Sequence, residues 1–144
     1  MAAGMKRPVY TTEILRLAAS LNEPRELPRQ DGKAELRSPT CGSRITLVVQ
    51  LDEDRRIEAM SQTVRACAFG QATAALVERH ARGRTHNDVA EAMLALSRWL
   101  SDEHADEADW PGLVALEPAR TRKARHGAIL LPFRALLAAI EAAS

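Results

Sequence analysis

The spacing of apolar and polar positions changes period twice along this chain. Between Tyr10 and Leu21, Ile14, Leu17, Ala18 and Leu21 fall on one stripe at helical spacing. Thr11 or Thr12 can cap that helix and Glu13 suits its positive end. Pro24 and Pro28 end it, and a polar linker runs to Gly32. The period then shortens to two. Ala34 to Ser38 reads as a short strand stopping at Pro39. In Arg44 to Leu51, Ile45, Leu47, Val49 and Leu51 alternate with Arg44, Thr46 and Gln50. Asp52 to Asp54 is a polar turn. Arg56 to Arg65 is a third strand with a weaker pattern and an expected bulge near Ser61. The three strands suggest a small antiparallel sheet with one covered face.

After Cys67 the helical period returns. Phe69, Ala72, Leu76 and His80 share a face, and Gly83 is a helix stop. Thr85 and Asp88 form a capping pair for a helix whose buried stripe is Val89, Met93, Leu96 and Leu100. Asp109-Trp110-Pro111 reads as the cap and first turn of a short helix. Pro118 to Ser144 reads as helical, broken near His126-Gly127, with Pro132 tolerated if the last helix starts only a few residues earlier. Leu130, Phe133, Leu137 and Ile140 then supply the apolar face of that helix. A helix, three strands and then several helices is an α+β order, with the helices packed on one face of the sheet.

The length of 144 residues suits one domain spanning 1–144, with 1–9 flexible and 102–109 an acidic loop holding five acids in eight positions. Aromatic residues make up only 3%, so the core must be built from Ala, Leu, Ile and Val. A net charge of +1 gives no reason to expect nucleic-acid binding. The longest apolar run, Gly127 to Phe133, is far short of the roughly 20 residues of a membrane span. The basic first ten residues lack the apolar core of a signal peptide, so the expected compartment is the cytoplasm. Arginine outnumbers lysine 17 to 3, a bias that points to a GC-rich bacterial genome. No Ser/His/Asp order, glycine-rich phosphate loop or paired-carboxylate motif marks an enzyme.

The two cysteines are too few for an all-cysteine zinc or iron–sulfur site in one chain. Cys41 lies in Ser38-Pro39-Thr40-Cys41-Gly42-Ser43, a loop between two expected strands, where a thiol is either exposed and reactive or a buried core residue. Cys67 falls where strand gives way to helix. It is either a thiol at a positive helix end or a small residue packed at a tight junction. His126 follows Arg120, Arg122, Lys123 and Arg125 at a helix break, and its ring can enter a site or stay in solvent. His80 reads as packed or half-exposed, His86 and His104 as solvated. Mixed thiolate and imidazole ligands suit zinc or iron, but Cys41, Cys67 and His126 carry no local spacing signature.

With these residues in place, the chain resembles the U-type iron–sulfur cluster scaffold family, the NifU N-terminal-like, IscU-like and SufU-like proteins. Pro39-Thr40-Cys41-Gly42 matches the family's Pro-x-Cys-Gly-Asp loop, with Ser43 in place of the Asp. Ala66-Cys67-Ala68-Phe69-Gly70-Gln71-Ala72 matches its Gly-Cys-Ala-x-Ser-x-Ala segment, keeping the Cys and changing the Gly and Ser. The 26-position separation from 41 to 67 fits as well, as do Tyr10 to Ile14 and Pro118-Ala119-Arg120. The resemblance covers nearly the whole chain, and the long segment after Cys67 favours the SufU branch. In Arg125-His126-Gly127, Gly127 stands where the family has its third Cys, and His126 where some members have a ligand histidine.

The resemblance implies a non-enzymatic scaffold or sulfur acceptor. Cys41 and Cys67 would accept persulfide sulfur from a cysteine desulfurase and hold an iron–sulfur cluster or zinc with His126, near Gly42, Ser43, Arg125 and Gly127. The cluster would pass to apo-protein acceptors. Cys41, Cys67 and His126 supply three of the four ligands a [2Fe–2S] cluster takes, and the Ser43 hydroxyl keeps its proton near neutral pH. These departures from the family pattern imply a weaker, transient or absent cluster. The alternative is a divergent paralogue acting as an interaction module without one. The basic stretch Arg120 to Arg125 is a candidate desulfurase contact or simply a solvated helix end.

Overall fold

In the computed structural model, which describes residues 10–39 and 42–143, the three strands form one antiparallel sheet in the order β1-β2-β3. β1 is Gly32–Arg37, β2 is Arg44–Leu51 and β3 is Ile57–Arg65. A helix α1, Thr12–Ala19, precedes them; α2 (Ala68–His80), α3 (His86–Ser101) and α4 (His126–Ala142) follow. This is the α+β order read from the sequence.

The alternation in β2 has a direct consequence. Ile45, Leu47 and Val49 are fully buried on one face of the central strand, and α4 packs on β1 and β2. Burying each such side chain contributes roughly 2 kcal/mol. β1 starts at Gly32, two residues before the expected Ala34. A Cβ at position 32 would lie 1.8 Å from the Ala139 carbonyl oxygen, so only glycine lets α4 approach the strand this closely. Fully buried Ile14, on α1, joins the same core, and Thr11 caps α1 by accepting from the Ile14 N–H at 3.1 Å.

The bulge expected near Ser61 is elsewhere. Ser61 pairs regularly with Val48, and the register shifts between Gln50 and Leu51 instead. The β2–β3 turn explains the shift: Asp52 Oδ1 accepts from the N–H groups of Asp54 and Arg56, and Arg55 adopts a φ of 60°. The weak pattern in β3 has another cause. Residues of the linker after α1 lie against the outer side of the sheet, where the Arg25 N–H donates to Ser61 Oγ and the Arg29 N–H to Gln50 Oε1. Ser61 is thus buried although it faces away from the helices.

The capping pair forms as read: Thr85 Oγ1 accepts from the Asp88 N–H and Asp88 Oδ2 from the Thr85 N–H. Asp109-Trp110-Pro111 does not start a helix. Gly112 turns through a φ of 88°, and a 3₁₀ helix begins only at Leu113 and runs to Ala119. Trp110 is instead an anchor, buried with Nε1–H donating to the Leu76 carbonyl and its ring edge-on to Phe133. The expected break near His126 falls just before it, at a turn and a 3₁₀ segment, Lys123–Arg125. α4 then runs unbroken through Pro132, its seventh residue. Pro132 has no N–H for the Ala128 carbonyl four residues back. No described helix is long and apolar enough to cross a membrane.

Candidate functional site

Cys67 is the N-cap of α2. Its backbone is extended (φ −66°, ψ 171°), its side chain makes no capping bond, and it is half-buried. The thiol therefore stands at the positive end of a 13-residue helix without being spent on the helix itself. Two positions later Phe69 is fully buried and pins the junction.

The first turn of α4 lies alongside. A Cβ on Gly70, one turn beyond Cys67, would come within 2.7 Å of Ala66 Cβ and 3.2 Å of the Ala128 carbonyl oxygen. Glycine at 70 thus brings the start of α2 against the start of α4. His126 opens α4, and its Nε2 lies 2.9 Å from the Ala119 carbonyl oxygen. A carbonyl only accepts, so Nε2 carries a proton, and the neutral tautomer consistent with that bond has its lone pair on Nδ1. A backbone carbonyl on the far nitrogen is one of the partners that orient a metal-ligating imidazole.

Tyr10, at the start of the first helix and of the family-like Tyr10 to Ile14 segment, also borders Cys67. Its ring packs edge-on to Phe69 at 4.9 Å, and its hydroxyl is a hydrogen-bonding neighbour of the Cys67 side chain. Burial pushes the Tyr10 hydroxyl up, the Cys67 sulfur pushes it further, and nearby Arg125 works against both. Tyr10, Cys67 and Arg125 thus share one small region. No one-dimensional spacing signals this, because Tyr10 and Cys67 are joined only by the packing of α1 on α2.

Of the remaining candidates, Cys41 lies outside the described residues. Gly42 beside it has a φ of 73° and Ser43 is buried at the start of β2. The Ser38 N–H donates to the Ser43 carbonyl at 2.8 Å, closing the base of the loop that carries Cys41. Gly127 and Arg125 are half-buried next to His126. Arg120 is engaged within the fold. Its guanidinium stacks on Trp99 at 4.6 Å and donates to the Trp99 and Asp102 carbonyls at the end of α3, so the docking stretch read from the sequence loses its first arginine. His80 is half-buried, as expected, and burial pushes its pKa down. Among the described residues no three His, Cys, Asp or Glu side chains gather as a metal site.

No family model matches this sequence, and no curated protein does. Solved structures do. The N-terminal domain of a nitrogen-fixing NifU-like protein from Brucella abortus superposes with a TM-score of 0.83 at 28% identity, covering 92% of each chain. A putative iron–sulfur cluster assembly scaffold protein for the SUF system from Fervidobacterium islandicum AW-1 gives 0.76 at 18% identity, covering 92% of this chain and 96% of that one. A hypothetical protein gives 0.66 at 22%. The last two establish the fold, and the first adds sequence likeness across the same span. The chain thus has the fold of these NifU-like and SUF-system scaffold structures, and it shares 28% of its residues with the first across that fold.

Proposed function

We propose that the chain is an iron–sulfur cluster assembly scaffold or sulfur acceptor that receives sulfur from a cysteine desulfurase and passes its cargo to apo-proteins. The observation that carries this reading is the fold match to the Brucella abortus NifU-like domain over nine-tenths of both chains, with Cys67 at an α2 N-terminus against the first turn of α4. In the transfer step, the Cys67 or Cys41 thiolate attacks the terminal sulfur of the donor's persulfide. The donor's S–S bond breaks, the donor leaves as a thiolate, and this chain becomes the persulfide. No net oxidation occurs.

The donor set bears on the cargo. Cys67 and His126 through Nδ1, with Cys41 from its loop, give three ligands, and Ser43 offers no carboxylate. A three-ligand site leaves one position for a donor's or acceptor's own ligand. That suits a cluster held briefly, or a zinc ion with an open position. The loss of the Asp and the third Cys favours a second reading, an interaction module carrying no cargo. Anaerobic reconstitution with iron and sulfide separates the two. Visible charge-transfer absorbance, or iron or zinc near one per chain, lost in Cys67→Ala, supports the scaffold. Neither absorbance nor metal, with persulfide uptake unchanged in Cys41→Ala and Cys67→Ala, leaves the interaction module.

A further inference from the structure

On the side of the sheet facing away from the helices, the strands set three arginines in one row. Arg37 of β1 is directly opposite Arg44 of β2, and Arg44 is directly opposite Arg65 of β3. With strands about 4.8 Å apart, the row spans about 10 Å. Like charges in direct cross-strand register oppose pairing, so the fold gains nothing from this arrangement. Among the described residues no carboxylate lies within ion-pair range of any of the three. The nearest acid on that face in the strand register is Glu35, one row inward, and its carboxylate accepts from Thr46 Oγ1 instead. The three arginines line a cavity of about 480 Å³ with Ser38, Pro39 and Gly42, at the base of the β1–β2 loop. Arg65 is also two residues before Cys67.

We infer that Arg37, Arg44 and Arg65 form a binding site for a carboxylate-rich segment of the protein that exchanges sulfur or cluster with this chain. The inference rests on the proposed scaffold role for its partner, but not for its chemistry. Guanidinium forks match carboxylates two bonds at a time, and three in a row match clustered acids rather than a single ion. Half-buried Arg44 forms the floor, while exposed Arg37 and Arg65 reach outward from either side. An acidic segment seated there is held at the end of the sheet from which β3 passes into Cys67. Like-charge repulsion within the row would then be relieved only in the complex.

Fluorescence anisotropy of the whole chain with a labelled hexaglutamate peptide tests this. Neutralising the row in Arg37→Gln/Arg44→Gln/Arg65→Gln is expected to weaken binding by about tenfold or more. Neutralising three exposed cations elsewhere, in Arg16→Gln/Arg82→Gln/Arg98→Gln, changes net charge equally and is expected to leave binding nearly unchanged. Arg44→Gln is expected to melt at or above the temperature of the parent chain, since it removes repulsion. Cys67→Ala is expected to bind the peptide as before, so failure of the scaffold reading would not mimic failure here. Equal weakening by both triple variants, or no binding at low ionic strength, overturns the proposal. So does inorganic pyrophosphate displacing the peptide at equimolar concentration, because the site would then prefer a small phosphate ligand.

Discussion

Two regions of this molecule obey different rules. Where α4 lies on the sheet, the backbone of one element nearly touches that of another: Gly32 meets the Ala139 carbonyl, and Ile45, Leu47 and Val49 are fully buried. At the cysteine end, between the β1–β2 loop and the starts of α2 and α4, Cys67 and His126 are half-buried and each helix start is short of side-chain caps. The first region spends its residues on packing and leaves none with chemistry to spare. The second holds a half-buried thiol beside a phenol, and an imidazole bonded to the fold through one nitrogen. Substitutions in the first should therefore cost stability with little chemical specificity. Substitutions in the second should change chemistry at small cost in stability.

The largest expected effect is at the seam. Gly32→Ala puts a methyl group into the Ala139 carbonyl, and backbone cannot swing aside as a side chain can. A loss of about 4 kcal/mol or more is expected, read as a fall in the urea midpoint followed by circular dichroism. A loss below about 1 kcal/mol would show that α4 rides loosely on β1 and would dissolve the contrast between the regions. Next comes Phe133→Ala, fully buried and edge-on to Trp110, with about 3 to 4 kcal/mol expected in the same assay.

A smaller effect is expected at the start of α3. Thr85→Ala removes the capping oxygen and is expected to cost about 1 kcal/mol. Its partner links that cap to pH. Hydrogen bonding to the Thr85 N–H holds the Asp88 carboxyl below its ordinary value of 3.8. A depressed pKa contributes stability fully above the unfolded value and loses it as pH falls through the folded one. Wild type should therefore lose more stability than Asp88→Asn between pH 6 and pH 3. Parallel losses would mean the cap does not depend on the charge.

How much of this was legible in the sequence follows the same division. β2 is legible to the residue because Ile45, Leu47, Val49 and Leu51 alternate between a loop and a polar turn, and the α3 cap because Thr85 and Asp88 are local partners. β1 begins two residues before its pattern shows, because its first residue is a glycine whose reason lies on α4, more than a hundred positions away. The displaced bulge and the late 3₁₀ helix were hidden likewise, one by the linker lying on Ser61 and the other by the left-handed Gly112. At the site, Cys67 and His126 were legible as residue types. Tyr10 over Phe69 and the arginine row were not, since both exist only through packing and cross-strand register.

α4 belongs to both regions, and its first turn gives the finest test of the contrast. His126 and Phe133 are seven positions apart, two turns along one helix. His126→Ala removes the bond from Nε2 to the Ala119 carbonyl, so about 1 kcal/mol of stability is expected to go. Retention of iron or zinc after anaerobic reconstitution is expected to fall far more, because Nδ1 leaves with the ring. His126→Gln, which can donate to the same carbonyl, should recover stability without recovering retention. Recovery of both would make His126 a structural strut rather than a ligand, and would move the boundary between the two regions to the far side of α4's first turn.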